Sequence, residues 1–166
     1  MMSKGDKLNK NDWIVKPITV KTAKRLVKEF HYSKGSSLMG VYTHGLFLKG
    51  KLLEKDCLGV AWWLPPIQRP AALVYPDDWK KVLNLSRLVI NPSVPKNAAS
   101  FFIGRSIKLI DYSKWKCLVT FACTYRKHKG TIYRATNWEY LGLTEPTEVW
   151  IHKETGEQMG RKRGAK

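Results

Sequence analysis

Short β-prone runs and amphipathic helical patterns alternate along the chain. Aromatic, aliphatic and β-branched residues over 13–18 predict a strand, because such side chains suit a half-buried pleated surface. A helix over 20–30 follows directly after Thr19, with apolar residues at helical spacing. The apolar residues that share one face of this helix are Ala23, Leu26, Val27 and Phe30.

The region from 38 to 64 predicts an antiparallel meander. Its strand-like runs are 39–44, 46–48 and 57–63, with a turn around Gly50. Pro65 and Pro66 end the last run, because proline cannot donate to a strand ladder. The Pro-rich stretch that follows receives no assignment until 77–79, where a short helix is expected to begin.

The longest organised stretch runs from 83 to 112. Aliphatic residues over 83–90 predict a strand that ends at Asn91-Pro92, and a polar loop then leads into an amphipathic helix. Asn97 or Ser100 is expected to cap this helix, which continues to Ile110. A continuous β-prone run over 116–123 predicts an interior, parallel strand, so that strand, helix and strand form one βαβ unit.

The C-terminal third begins with a basic loop over 124–130. A short helix over 131–138 and a final pair of strands over 139–143 and 148–152 are expected to follow it. The whole pattern predicts an α+β (α/β) fold in which helices flank a central mixed β-sheet.

Length and charge refine this picture. A chain of 166 residues suits one core, so we expect a single domain over 13–158, a mobile basic arm over 1–12 and a basic tail over 159–166. The formal net charge is +17, which favours a polyanionic partner. Nucleic acid is the first candidate and an anionic membrane the second.

Several classes of site and location are disfavoured. The sequence has neither a run long enough to span a membrane nor an apolar signal-peptide core, so a soluble, cytoplasmic protein is expected. The three cysteines lack paired spacing and are expected to be thiols, and the four histidines lack the spacing of metal ligands. No metal site is predicted.

The turn into the helix after Asn97 is a candidate anion site. Backbone N–H groups in the first turn of a helix lack partners within the helix, and Lys96 adds positive charge beside them. Such a strand–loop–helix arrangement suits a phosphorylated cofactor. An ordinary connection with a capped helix explains the same pattern equally well.

Reactive residue types stand at three further positions. Arg87 interrupts an apolar strand, where an unpaired cation is costly, so a carboxylate, a carbonyl or a ligand is expected beside it. His31 and Tyr32 at a helix end offer a proton acceptor and a phenolic donor, and Tyr133 a second phenol. The alternatives are a solvated arginine, a histidine that caps its helix and a buried tyrosine.

The basic loop and the helix after it combine positive charge with an aromatic ring, which is typical of a nucleic-acid contact. The alternative is a solvated loop. The residues of this candidate surface are Tyr125, Arg126, Lys127, Lys129 and Arg134.

The order of the elements is similar to the GNAT acyltransferase fold, and four motifs resemble the Mom family of bacteriophage DNA-modification proteins. The motif over 130–138 is the most specific of them. These motifs are His31-Tyr32-Ser33, Leu85-Ser86-Arg87-Leu88, Pro95-Lys96-Asn97 with Ser100, and Gly130-Thr131-Ile132-Tyr133-Arg134-Ala135-Thr136-Asn137-Trp138.

The resemblance implies an enzyme that converts adenine N6 in double-stranded DNA to a carbamoylmethyl derivative and so protects phage DNA from restriction. It implies acetyl-CoA or a related acyl-CoA as cofactor, in the cytoplasm of the host bacterium. The cofactor-binding residues it implies are Ile90, Lys96, Asn97, Ala98, Ser100 and Asn137. The reaction-centre residues it implies are Arg87, Tyr133, His31 and Tyr32, with Cys123 as a further candidate.

The sequence departs from these resemblances at two places. The loop after Ile90 lacks the Arg/Gln-x-x-Gly-x-Gly/Ala pattern common among GNAT proteins. Cys123 stands where Mom-like proteins are expected to have an aspartate, so either the reaction is altered or impaired, or a thiolate takes part. Two other functions fit the same residues: acyl transfer to a different amine, and DNA binding without catalysis. The oligomeric state stays open.

Overall fold

The protein folds around an open, mixed sheet of five strands in the order β1-β2-β3-β4-β5. This computed structural model describes residues 7–33, 35, 39–124, 127–145, 150–156 and 158–159. Strands β1 to β4 pair antiparallel, and β5 pairs parallel to β4. The strands are β1 Trp13–Pro17, β2 Tyr42–Leu48, β3 Gly59–Leu64, β4 Val82–Ile90 and β5 Cys117–Thr120.

Four α-helices accompany the sheet: α1 Val20–Phe30, α2 Gln68–Val74, α3 Ala98–Ile107 and α4 Thr131–Arg134. A separate hairpin pairs β6 Trp150–Ile151 with β7 Gln158–Met159. Three short 3-10 helices complete the described elements: Lys10–Asp12, Glu54–Asp56 and Pro76–Lys81. The predicted α+β class, mixed sheet and βαβ unit (β4-α3-β5) are confirmed.

Helices cover both faces of the sheet. On one face, Leu26 and Val27 of α1 pack against Phe47 and Trp62, and α2 covers the start of β4 through Ala71. On the other face, α3 packs against Trp63, Leu83 and Leu85, and the segment around α4 adds to the same cluster. Neighbouring strand residues serve opposite clusters, as the period-two alternation of a strand requires.

Helix α1 has the predicted bounds, and Thr19 is its N-cap. Thr19 accepts from the Thr22 N–H, and the Glu54 carboxylate accepts from the backbone N–H of Thr19 and from both threonine hydroxyls. These hydrogen bonds hold the pKa of Glu54 below its ordinary value. The cap fixes the start of α1, and the opposite end of the helix delivers His31 and Tyr32.

Strand β4 contains a bulge. Trp62 pairs with Arg87, but the next residue of β3, Trp63, pairs with Leu85, so Ser86 is an extra residue in β4. A bulge changes which face the following side chains occupy. Leu85 and Leu88 therefore both reach the α3 cluster, and Arg87, opposite Trp62, lies on the α1 face.

Several predicted elements were wrong in extent or position. Among the described strands β5 is an edge strand, not an interior one, and it ends at Thr120. Helix α3 ends at Ile107, and Asn97 occupies the N-cap position in a left-handed conformation (φ 67°) without a side-chain cap. Ser100 does not cap either, because its hydroxyl donates to the Asn97 carbonyl at 3.1 Å.

The C-terminal elements also differ from the prediction. Helix α4 is four residues long, and the described residues 139–145 form no strand. Strand β6 lies within the predicted strand 148–152, and it pairs with β7, which was not predicted. Residues 148 and 149 lie outside the described part of the chain. Helix α2 was not predicted. The prolines in and around this stretch obscure its helical pattern in the sequence.

Residues 7–12 belonged to the predicted N-terminal arm. Lys7 bridges to Lys96 in parallel, and the Leu8 N–H donates to the Lys96 carbonyl at 3.3 Å. Leu8 also packs against the α3 cluster. Residues 1–6 of the arm and 160–166 of the tail lie outside the described part of the chain.

Candidate functional site

Strands β4 and β5 separate at one end of their ladder, and a pocket lies at this point. They pair from Val82 to Leu85 and from Cys117 to Thr120, after which the chain beyond Thr120 leaves the sheet. The pocket measures about 200 Å³. Its lining residues are Tyr32, Asn84, Leu85, Ser86, Arg87, Phe121, Ala122 and Cys123.

Arg87 is held in place by backbone carbonyls. Its Nε donates to the Gly35 carbonyl at 3.2 Å, and Nη1 donates to the Ser86 carbonyl at 2.7 Å and to the Ser86 hydroxyl at 3.3 Å. No salt bridge joins Arg87 to a carboxylate among the described residues. The guanidinium therefore brings a positive charge to the pocket, and no acid among the described residues forms a salt bridge with it.

Tyr32 enters the pocket from the end of α1. The His31 backbone N–H donates to the Val27 carbonyl at the C-terminal end of α1. The centroids of the His31 and Tyr32 rings lie 4.3 Å apart. His31 Nδ1 lies 2.8 Å from the Ser33 hydroxyl, and the His128 ring meets the Tyr32 ring edge-on, at 5.7 Å between centroids. These contacts with two histidine rings restrict the rotation of the Tyr32 side chain.

The Tyr32 hydroxyl lies against the Cys123 thiol. Burial raises the pKa of Tyr32 above the usual value, a hydrogen bond to Cys123 raises it further, and the Arg87 charge opposes both effects. A phenol with a raised pKa stays protonated at neutral pH. Tyr32 is therefore a hydrogen-bond or proton donor in this pocket rather than a base.

Tyr133 stands at the margin of the same site. Gly130 adopts φ 67° before α4, a conformation that glycine reaches without strain, and the Tyr133 ring then packs 5.9 Å from Trp138. Trp138 stacks on Trp63 of β3 at 6.4 Å. Tyr133 is near enough to Tyr32 to make a small additional contribution to its raised pKa.

Asn84 contributes an unpaired polar atom to the pocket wall. Its Oδ1 is buried, and no donor reaches it within the described structure. The remaining buried and unpaired side-chain atoms in that part of the chain are indole nitrogens of Trp13, Trp115 and Trp138, and none of these residues lines the pocket.

The residues predicted to bind a cofactor lie outside the pocket lining. Ile90 ends β4, and Lys96 and Asn97 are exposed before α3. Ala98 is buried and its N–H donates to the Pro95 carbonyl, whereas the N–H groups of Ala99 and Ser100 have no backbone acceptor among the described residues. Asn137 is exposed in the turn after α4, with φ 62°.

The described part of the basic loop adjoins the pocket. The His128 N–H donates to the Cys123 carbonyl at 3.2 Å, which ties the loop to a pocket residue. Lys127, Lys129 and Arg134 are exposed, and Arg134 Nη2 donates to the Lys129 carbonyl at 2.8 Å. Tyr125 and Arg126 lie outside the described residues.

The described residues form neither a metal-ligand cluster nor a membrane-spanning helix. They contain no set of three or more His, Cys, Asp or Glu side chains close enough to share a metal ion. They also contain no helix with the length and apolar character that spanning a membrane requires.

The structure thus gathers Tyr32, Arg87 and Cys123 in one pocket, with His31 and Tyr133 beside it. Sequence reasoning did not single out Asn84, Phe121 or Ala122, and it named Ser86 only as part of the motif over 85–88. An asparagine between two leucines of a β-prone run was a usable signal for Asn84, because an amide is costly to bury in a core strand. Nothing in the sequence marks Ser86 as the extra residue of a bulge.

Comparison with known proteins identifies the family of this chain. No curated protein sequence matches the chain. The Mom protein family, which is associated with DNA modification, matches residues 12–165. This match covers nearly the whole chain and includes every residue of the pocket. The chain therefore belongs to the Mom protein family.

Proposed function

We propose that the chain is a phage-type DNA-modification enzyme that converts adenine N6 in double-stranded DNA to a carbamoylmethyl derivative and so protects the DNA from restriction. One structural observation carries the proposal: a small pocket in which Tyr32, Arg87 and Cys123 meet beside a basic loop. Membership of the Mom family and a net charge of +17 support it independently. The site of action would be the host cytoplasm.

The size of the pocket suits one base. At about 200 Å³ it is smaller than the roughly 300–1,000 Å³ of sites that enclose drug-sized ligands. An enzyme that modifies a base in a duplex must first turn that base out of the stack into a fitted pocket. The exposed lysines of the adjoining loop would hold the phosphates of the opened strand.

The pocket residues suit transfer of a group to a weakly nucleophilic amine. The N6 amine must lose a proton as its new bond forms. Negative charge develops at the same time on the carbonyl oxygen of the donor or on its leaving group. The Arg87 guanidinium would stabilise that negative charge. Tyr32, kept protonated by its raised pKa, would donate a proton or hydrogen bond, and Tyr133 or Cys123 would act beside it.

We further propose a GNAT-like enzyme with acetyl-CoA or a related acyl-CoA as cofactor. The N–H groups of Ala99 and Ser100 at the start of α3, with the exposed Lys96, fit a phosphate group of such a cofactor. Ile90, Asn97, Ala98 and Asn137 are the other proposed contacts. Bound acyl-CoA would supply an acyl group, and its direct transfer would join N6 to the carbonyl carbon and release CoA. A carbamoylmethyl group is joined to N6 through its CH₂ carbon and contains an amide nitrogen, so that product requires a further donor besides acetyl-CoA.

Mass spectrometry of nucleosides tests the proposal. DNA from bacteria that produce the native chain should contain a heavier deoxyadenosine, and its added mass distinguishes a carbamoylmethyl group from an acetyl group. Arg87→Ala and Tyr133→Phe should reduce the product by about 10²-fold or more, because each removes a group placed at the reaction centre. Arg105→Ala is a matched control, since Arg105 is exposed on α3 and stacks over Phe101.

The Cys123→Asp variant separates the alternatives for this position. Product only in the Asp variant would identify the native chain as an impaired enzyme, and product only with the native cysteine would give the thiol a part in the reaction. If neither chain changes any nucleoside, the proposed function is wrong. Acyl transfer to other amines, or DNA binding without chemistry, would then be the remaining functions.

A further inference from the structure

Phe121 is an aromatic residue that lies outside the described hydrophobic core. Its side chain is 47% exposed, and the three apolar clusters of the described residues are built without it. Within the same part of the chain, no second aromatic ring stacks on the Phe121 ring and no cation lies over it. Nearly half of this residue's surface is therefore available to a binding partner.

Hydrogen bonds hold the backbone on both sides of Phe121. Before it, the Thr120 hydroxyl donates to the Leu85 carbonyl at 3.2 Å, and the two residues also pair at the end of the β4–β5 ladder. After it, the Cys123 carbonyl accepts from the His128 N–H at 3.2 Å. The exposed ring is thus presented from a fixed backbone, so less conformational entropy is lost when a partner binds it.

The Phe121 ring stands where DNA would meet the pocket. Phe121 lines the pocket of about 200 Å³ and is also exposed, so it lies at the mouth of the pocket. The basic loop follows closely in the chain, with Lys127 and Lys129 exposed. These charges would bring a polyanion against the same surface. An apolar side chain beside phosphate-binding charges is typical of proteins that insert a wedge between base steps.

A base that turns out of a duplex leaves an unfilled place in the stack. The bases on either side lose stacking contacts, which contributes to the cost of opening the duplex. An aromatic side chain in the vacated place restores such contacts, because every base has a face that stacks on an aromatic ring. The vacated place adjoins the mouth of the pocket that receives the base, and a ring at that mouth is within reach of it.

We propose that Phe121 enters the base stack of duplex DNA and fills the place of the base that has turned into the pocket. Tyr32, which also lines the pocket and is 42% exposed, is less suited to insertion, because its ring contacts both His31 and His128. The inference rests on the proposed function, because it takes the ligand of the pocket to be a base of duplex DNA. It gives Phe121 a part in opening the duplex and none in the chemistry on the base.

Equilibrium binding to a duplex that lacks one base tests the inference, because the place to be filled is then already open. The full-length chain is titrated with a labelled duplex that contains one abasic site and with the intact duplex of the same length. The native chain should bind the abasic duplex about tenfold more tightly, which is within the effect of one stacked ring. Both duplexes have the same phosphates, so the phosphate contribution cancels in this ratio.

Three variants identify the ring responsible. Phe121→Ala should bring the ratio of the two affinities close to one and leave binding to the intact duplex nearly unchanged. Phe121→Trp should keep the preference, because an indole also stacks. Tyr112→Ala removes a ring of similar exposure (49%) outside the pocket and should keep the native ratio. Circular dichroism of each variant verifies that it is folded.

Rates of nucleoside modification separate filling of the stack from a direct contact with the base in the pocket. Phe121→Ala should slow modification of adenine in duplex DNA by about tenfold, because the vacated place stays unfilled. Modification of single strands should proceed at the native rate, since a single strand has no paired stack to restore. An equal loss on both substrates would place the ring against the reacting base and overturn the inference.

An unchanged affinity ratio in Phe121→Ala, an equal loss in Tyr112→Ala, or no preference of the native chain for the abasic duplex would also overturn it. Its failure is distinct from failure of the proposed function. If the native chain modifies adenine but Phe121→Ala keeps the native affinity ratio, the function stands and the inference falls. If no modified nucleoside forms but the preference for the abasic duplex depends on Phe121, the inference stands without the chemistry.

Discussion

At the scale of single residues, Tyr32 links the groups of the pocket. Its ring contacts the rings of His31 and His128, and its hydroxyl hydrogen-bonds with the Cys123 thiol. Burial raises the pKa of Tyr32, so the phenol keeps its proton at neutral pH. A reaction that uses Tyr32 as a donor should therefore lose rate only as the pH rises towards and beyond the ordinary pKa of tyrosine.

Replacing Tyr32 with phenylalanine tests the donor role. The Tyr32→Phe variant keeps the ring contacts with both histidines and removes only the hydroxyl. We expect the rate of nucleoside modification to fall by about 10²-fold or more, which is the usual contribution of a positioned proton donor. Tyr112→Phe, on the exposed turn after α3, should match the native rate. Equal rates for Tyr32→Phe and the native chain would exclude Tyr32 as a donor.

Replacing Asn84 with leucine should stabilise the protein. The Asn84→Leu variant removes a buried oxygen that has no described partner and leaves the backbone ladder unchanged. The penalty of such an atom is about 1–3 kcal/mol, and relief of part of it should raise the free energy of unfolding measured in urea. A destabilised variant would mean that the amide has a structural partner in the folded protein.

The residues of the pocket differ in how far sequence alone reveals them. Arg87 was detectable because a cation inside an apolar run is unusual, and Tyr32 because it follows a well-defined helix. The hydrogen bond between Tyr32 and Cys123 joins residues 91 positions apart, and no local pattern predicts it. Whether the Asn84 amide finds a partner likewise depends on neighbours that only the folded chain brings together.

At the scale of elements, a buried polar link joins α3 to the sheet. The Ser106 hydroxyl accepts from Trp63 Nε1 at 2.8 Å and lies 2.7 Å from His44 Nδ1. The Ser106 hydroxyl can accept from Trp63 and donate to Nδ1 of a neutral His44 imidazole. Burial lowers the pKa of His44 to about 4. The link therefore depends on an uncharged histidine.

The stability of the fold should fall in mild acid. His44 binds a proton with its ordinary pKa in the unfolded chain and with a pKa of about 4 in the folded chain, so protons favour unfolding. Its contribution is complete above about pH 6.5 and decreases as the pH falls towards 4, by roughly 3 kcal/mol in all. Urea unfolding of the native chain and of His44→Gln across this range measures the difference. Parallel curves for the two proteins would contradict the prediction.

Local signals explain which elements were predicted well. The bounds of α1 follow from the Thr19 cap and a helical repeat within eleven residues. By contrast, the edge position of β5 and the bulge at Ser86 depend on how β4 pairs with its neighbours. The pairing register depends on both strands, so it cannot be predicted from a single run of apolar residues.

At the scale of the whole molecule, charge should govern affinity for DNA. Thirty basic residues against thirteen acidic ones make binding salt-dependent, and each phosphate contact adds about 0.9 to the slope of log affinity against log salt. The Lys127→Ala, Lys129→Ala double variant should lower that slope for duplex DNA by about two. Lys51→Ala, in the turn after β2, should leave it unchanged. An unaltered slope in the double variant would remove the basic loop from the DNA contact.

The sequence predicted the class of the molecule but not the opening between β4 and β5. The order of the elements was sufficient for an α+β fold with one parallel crossover. The opening arises because β5 stops at Thr120 while β4 continues to Ile90, although the apolar run of the sequence extends to Cys123. The pocket thus lies where the pairing of β4 with β5 ends, at Leu85 and Thr120, and no change in amino-acid composition marks this point in the sequence.

The stack of Trp63 on Trp138 gives the protein an internal optical signal. The two indoles lie 6.4 Å apart at an interplanar angle of 15°, close enough for their electronic transitions to couple. One belongs to the sheet, and the other belongs to the turn that supports Tyr133. Any movement of that turn away from the sheet would change the near-ultraviolet circular dichroism, so a ligand that displaces the turn can be followed without a label.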